Sequence, residues 1–229
     1  MESYANFEGS VKEAFGSRLK YIGLRGSHLR GEAQPRSDVD FLIILDKITQ
    51  RDLEVLKNLI RKQPHRISPY VLSLDEFKGL PRYGKAQFWL EAPSMFSMFG
   101  MPEPTREDLW EIVKSNLDTA IHTVRHYYLE EHPEDQILKG LRYYVKTCDF
   151  ALRVIVYILT GDYPTTRNQL KGRLEALGLA EHKDILNILD DWDKLSDEWK
   201  KNISNFLLNL DYSLCKIAEM TSNIYQQQR

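Results

Sequence analysis

The sequence predicts an α/β (α+β) domain with a mixed sheet in residues 1–102, followed by an all-α helical bundle domain in residues 105–229. Three observations carry this division. Helix-type and strand-type apolar spacings alternate through the N-terminal part. The Pro-rich stretch Met101-Pro102-Glu103-Pro104 then shifts the composition. Beyond it only helical periodicity remains.

Taken in order, Val11, Ala14, Phe15 and Leu19 recur at helical spacing and predict a first helix from Phe7 to about Leu19. Tyr21 to Leu24 reads as a short strand that ends at Arg25-Gly26-Ser27. A polar loop containing Gly31 and Pro35 leads to Asp38-Val39-Asp40-Phe41-Leu42-Ile43-Ile44-Leu45. The tail of that strand is apolar at every position, so it is buried on both faces and central in its sheet. Thr49, with Asp52 three residues on, starts a helix expected to turn Leu53, Leu56, Leu59 and Ile60 inward. Arg66 to Leu74 reads as another strand, and Pro69 places it at an edge or a bulge. Ala86 to Gly100 is apolar but has no clear period.

In the C-terminal half, Thr105 caps a helix with a stripe of Leu109, Ile112, Val113, Leu117, Ala120, Ile121 and Val124. A second helix repeats Leu138, Leu141, Val145, Cys148, Leu152, Ile155 and Leu159 by threes and fours, the seam of close antiparallel packing, and stops at Gly161. Shorter helices follow around Leu170 to Leu177 and Ile185 to Trp192. A last long helix is expected from near Ser196, carrying Trp199, Ile203, Phe206, Leu210, Leu214 and Ile217 and fraying at the terminal QQQR.

Composition limits what such a chain does. With 229 residues and 42% hydrophobic content it has a core to bury, which excludes general disorder. The 31 basic and 33 acidic residues nearly cancel, so no overall field holds a polyanion or a membrane surface. No apolar run approaches the roughly 20 residues of a membrane-spanning helix. MESYANFEGS lacks the basic-then-apolar order of a signal peptide, and the expectation is a cytoplasmic protein without membrane association. Cys148 and Cys215 lack any CxxC context and fall on apolar helical stripes, as buried thiols in a reducing compartment do.

The chemistry concentrates between Gly26 and Asp40. A strand ending in Gly26-Ser27 lets backbone amides and a hydroxyl approach phosphate oxygens, and a helical turn from His28 would aim its N-terminus at the same anion. Asp38 and Asp40 alternate with Val39, so they leave one face of a strand and together suit a hard cation. A Gly-Ser pair alone is usually a turn, and an Asp-x-Asp pair alone is commonly a solvated strand edge. Together, at the head of a wholly apolar strand, two like charges call for a cation to neutralise them.

The stretch GSHLRGEAQPRSDVDFLIIL resembles the motif of the nucleotidyltransferase superfamily that includes DNA polymerase β, in which Gly-Ser precedes Ser-Asp-x-Asp by a short loop, here with Arg30-Gly31 between them. The likeness covers the N-terminal domain only. The layout with a following helical domain is similar to aminoglycoside and lincosamide nucleotidyltransferases, and to minimal nucleotidyltransferases that pair with HEPN-type proteins. The helical half is therefore expected to be HEPN-like or substrate-binding. The resemblance implies that Gly26, Ser27, Arg30 and Ser37 contact the nucleotide, and that Asp38 and Asp40 are catalytic and ligate Mg2+ or Mn2+. It implies transfer of AMP from ATP, or of another NTP's nucleotidyl group, to a hydroxyl of an acceptor that is a small molecule, a protein or RNA. Association into a homodimer stays open.

One departure stands out. Active relatives carry a third carboxylate on a later strand, but Arg66 to Leu74 contains no Asp or Glu. Asp75 and Glu76 come just past its end and Glu91 further on; Glu130, Glu131, Asp135 and Asp149 are the alternatives in the helical half. The gap supports a second expectation, a catalytically weak nucleotide-binding regulator or antitoxin-type partner of a HEPN-like toxin. Other patterns read blandly. His122 and His126 are four apart on a helix, but no carboxylate or third ligand is placed as in HExxH, so they read as flanking a packed face. Arg125 and His132 match a loose Arg-His ribonuclease pattern at chance level, and Arg142 and Lys146 read as a helix surface before they read as γ-phosphate contacts.

Overall fold

Strand β2 (Val39–Leu45) lies between β1 (Leu19–Arg25) and β3 (Ile67–Ser73), antiparallel to the first and parallel to the second. The computed structural model describes residues 2–34 and 37–228, so Pro35 of the polar loop and the terminal Arg229 lie outside the described residues. The chain divides into two units, Met1–Glu103 and Pro104–Arg229.

In the first unit β2 is the core. Val39, Phe41, Ile43 and Leu45 face one layer with Phe7, Val11 and Phe15 of α1 (Glu2–Phe15) and Leu56 of α3 (Gln50–Arg61). Leu42 and Ile44 face the other layer with Phe77, Phe88, Met95 and Phe96. Both pleat faces are therefore covered, which explains a strand with no polar alternation after Asp40. Phe41 to Leu45 are each at most 1% exposed, and burial is worth about 1.5–3 kcal/mol per side chain. Parallel pairing of β2 with β3 needs a crossover, and α3 is that crossover.

Several local outcomes differ from the sequence-based expectations. α1 stops at Phe15 because Gly16 takes φ +50; Gly16–Arg18 is a 3-10 turn, and Leu19 opens β1 instead of closing a helix. Leu53 of α3 is 49% exposed, so Leu56 alone is fully inward there, with Leu59 and Ile60 half-buried. The segment without a clear period resolves into α5 (Arg82–Glu91) and α6 (Pro93–Met98), broken at Ala92 and preceded by α4 (Leu74–Gly79). Two helices this short give too few turns for a period to register. β3 is at the sheet edge, where Pro69 with no N–H to donate is tolerated.

The second unit contains α7 (Arg106–Leu129), α8 (Glu134–Thr160), α9 (Arg167–Ala176), α10 (Asp184–Lys201) and α11 (Ile203–Gln227). Thr105 and Asp108 form a reciprocal capping box on α7, and α8 ends at Gly161 with φ +73. The seam from Leu138 to Ile155 is buried. The last helix is not one piece with Trp199. Asn202 takes φ −146 and ψ 61, ends α10, and caps α11 through Asn205 N–H, while Trp199 and Phe206 stack across the break at 4.4 Å. The QQ pair of the expected frayed end lies largely inside α11. Cys148 is buried and its thiol is pushed up to about 12 by desolvation. Cys215, by contrast, is only half-buried, between Arg125 and Asp211 of α7 and α11. Among the described residues no helix is long and apolar enough to cross a membrane.

The sequence signal at Thr49 and Asp52 conceals a second role. Asp52 caps α3 and also accepts two hydrogen bonds from Arg18, at 2.7 and 2.9 Å, while only 4% exposed. The Arg18 hydrogen bonds, assisted by those from Thr49, hold its carboxyl well below the usual carboxylate range despite burial. A depressed folded-state value means that the contribution is complete above the unfolded value near ~3.9 and is lost as pH falls toward the folded one. Asp52→Asn is expected to lower the unfolding free energy by about 2 kcal/mol at pH 7, allowing for the solvent around Arg18, and the deficit should shrink below pH ~4. Urea titrations of both proteins across that range check it; a pH-independent deficit would deny the ion pair its part.

Candidate active site

Arg25, the last residue of β1, is the register partner of Asp40 in β2. The chain then turns at Gly26 into α2 (Gly26–Leu29), a single helical turn that starts two residues earlier than expected and has no side-chain cap. Gly26 has φ +63, a backbone that L side chains rarely adopt. A Cβ at this position would also lie 2.4 Å from Asp40 Oδ2. The turn and the carboxylate are thus in direct apposition, which only glycine allows.

Asp38 and Asp40 flank Val39, which is 1% exposed and packed into the α1–α3 layer. By the pleat, Asp40 shares the opposite face with Leu42 and Ile44, and it begins where their helical cover ends. Asp38 precedes the strand, with its side chain 32% exposed and 3.4 Å from Arg66 Nε. Asp40 is half-buried. Ser27 belongs to the same turn as Gly26, and its carbonyl accepts from Glu32 N–H at 2.8 Å. The structure therefore brings the Asp40 carboxylate to the Gly-Ser turn, with Asp38 two residues earlier in the chain beside Arg66.

The other two candidates have structural work. Arg30 donates to Glu91 at 3.0 Å and pairs with Glu32 at 3.4 Å, with only 18% of its side chain exposed. Ser37 closes the loop by accepting from Gln34 N–H through Oγ, and its carbonyl meets His28 Nε2 at 3.4 Å. A carbonyl only accepts, so neutral His28 carries its proton on Nε2, and Nδ1 accepts from the Tyr4 hydroxyl at 2.7 Å. The ring ties α1, α2 and the loop before Asp38 together.

Glu91 could not be assigned from sequence. Its side chain is 6% exposed and bridges Arg25 at 2.8 Å and Arg30 at 3.0 Å, while the Arg25 guanidinium lies 4.5 Å above the Phe88 ring. Glu91 is thus committed to the frame behind the turn. Glu76 caps α4 through Ser73, and Asp149 is buried in an ion pair with Arg153, which also donates to the carbonyls of Pro164 and Thr165. Asp135 pairs with Lys200 at 2.8 Å. The β3 residue opposite Asp40 is Ser68, which is exposed. Elsewhere, Arg142 makes a bidentate pair with Asp193, and Arg125 is held by Asp211.

No curated protein matches the chain. The model of the nucleotidyltransferase domain family matches residues 5–91, a span that runs from α1 through Glu91 and contains all three strands, the Gly26 turn and both aspartates. That match supports nucleotidyl transfer as the reaction class. Over residues 5–91, then, this chain is similar to the nucleotidyltransferase domain family.

Proposed function

We propose that the protein is a magnesium-dependent nucleotidyltransferase that moves AMP from ATP to a hydroxyl of an acceptor. The observation that carries this reading is the apposition of Gly26 and the Asp40 carboxylate, with Asp38 two residues before it. Two carboxylates at the head of β2, Asp40 in the strand and Asp38 just before it, supply the oxygen donors that suit a hard divalent cation such as Mg2+ or Mn2+. Bound there, the ion would neutralise triphosphate charge and polarise the α-phosphate. Asp38 and Asp40 would hold that ion, the Gly26-Ser27 backbone would seat phosphate oxygens, and the Ser27 hydroxyl would donate to one of them. The Arg25–Glu91–Arg30 frame keeps the turn in place, so Arg30 acts by positioning.

A second reading is favoured by one observation. Ser68 occupies the position opposite Asp40 on β3, and it neither removes a proton at neutral pH nor binds Mg2+ with charge. A site lacking that base binds MgATP yet turns over slowly, as a nucleotide-binding regulator of an HEPN-type partner would.

Three outcomes test these readings. ATP labelled at the α-phosphate should mark the acceptor with release of pyrophosphate, and γ-label should not; Asp38→Asn with Asp40→Asn should weaken MgATP binding by roughly 10-fold or more in calorimetry. Transfer of the γ-label, or unchanged affinity, would contradict the proposal.

Gly26→Ala should destabilise the protein by about 1–2 kcal/mol through its left-handed backbone and should also weaken MgATP, since the new Cβ displaces Asp40. Gly31→Ala, at φ +70 with open space around it, should show the stability loss alone. Equal affinities for the two variants would separate Asp40 from the nucleotide.

Finally, Ser68→Asp should raise transfer by about 10²-fold or more if the missing base limits the rate. An unchanged rate would mean that the base comes from elsewhere and would remove the support for the weak reading.

A further inference from the structure

The end of α7 carries a cluster with a different chemistry. His126 and Glu130 are one helical turn apart, and Glu130 takes φ −115 and ψ 147, which ends the helix. The connection to α8 then brings His132 back beside them. His126 Nδ1 is 3.2 Å from one Glu130 oxygen, and His132 Nε2 is 3.5 Å from the other. One ligand atom from each of the three residues lies within 4.8 Å of the other two.

We propose that His126, Glu130 and His132 bind a divalent transition metal of the zinc class, with three protein ligands and the remaining position open to water. Ligands at about 2.0–2.2 Å around a tetrahedral zinc stand roughly 3.3–3.5 Å from one another. His126 Nδ1 stands at that separation from one Glu130 oxygen and His132 Nε2 from the other, and with one ligand atom per residue the three lie within 4.8 Å, a span that side-chain rotation would have to close. Imidazole donors select zinc, nickel or copper over magnesium, so this site is chemically distinct from an all-oxygen pair of aspartates.

The simpler account is a carboxylate flanked by two histidines on a solvated helix end. It leaves one feature unexplained. Nε2 of His132 is shut off from solvent and makes no hydrogen bond among the described residues. A buried polar nitrogen of that kind calls for a partner, and a metal ion supplies one. The ring is also held ready, since Tyr127 meets it edge-on at 5.2 Å and 86°. The spacing of His122 and His126 predicts no metal, since neither a carboxylate nor a third ligand follows them as in HExxH. Both are exposed and not set against a packed face, and the further ligands come from the helix end and the connection after it.

Untagged full-length protein, stripped by chelator and titrated with zinc in excess magnesium against a chromophoric competitor, tests this. The expected result is one zinc per chain, with two imidazole ligands in the zinc-edge X-ray absorption spectrum. Zinc should also raise the thermal midpoint of unfolding, since it staples the α7–α8 connection. His126→Gln and His132→Gln should each weaken binding by roughly 100-fold, at or beyond what outer-shell changes cost, with unchanged circular dichroism. His122→Gln, whose ring stacks on His126 at 6.3 Å, should leave zinc binding intact. No stoichiometric zinc at micromolar free metal, or zinc retained at the same affinity in both His126 and His132 variants, would overturn the site.

Discussion

The pairing of Arg25 with Asp40 across β1 and β2 is the constraint on which the N-terminal unit depends. It delivers Gly26 to the Asp40 carboxylate and fixes which residues of β2 face the core. Because the side-chain period of a strand is two, a slip of one residue would bury Asp40 among Phe7 and Val11 and turn Val39 outward. The apolar tail of β2 prevents the slip, since both faces from Phe41 onward are already matched to helical layers. Stability and site geometry therefore rest on one register.

Behind the turn sits a compact charge frame. Glu91 shares its carboxylate between Arg25 and Arg30, and Arg25 rests on Phe88. Buried pairs of this type add little net stability, but removing one member leaves a desolvated charge, so they hold geometry firmly. The frame uses the arginine of the motif for positioning, and it uses Glu91, the last residue of the matched family span, as its anchor. Ahead of the strand, Asp38 lies 3.4 Å from Arg66 Nε.

What the sequence revealed was what local physics decides. A glycine followed by Ser and an Asp-x-Asp ahead of an all-apolar strand are short-range signals, and so are the capping boxes at Thr49 and Thr105. The Glu91 bridge joins residues 66 and 61 positions apart, and no periodicity encodes such a pairing. Asn202 was hidden for the opposite reason: Trp199, Ile203 and Phe206 keep helical spacing through a break that a single residue makes. His132 likewise falls after the helix whose period was being followed. Leu53 shows that an apolar residue at the right spacing can still face water, since spacing alone does not say which residues the layer covers.

The most direct measurement is the anomalous signal of manganese in crystals grown with a non-hydrolysable ATP analogue. The account places the metal on the carboxylates of both Asp38 and Asp40, with a phosphate against the Gly26-Ser27 backbone. Manganese and triphosphate bound away from Asp38 and Asp40, with Gly26 still packed on Asp40, would contradict it.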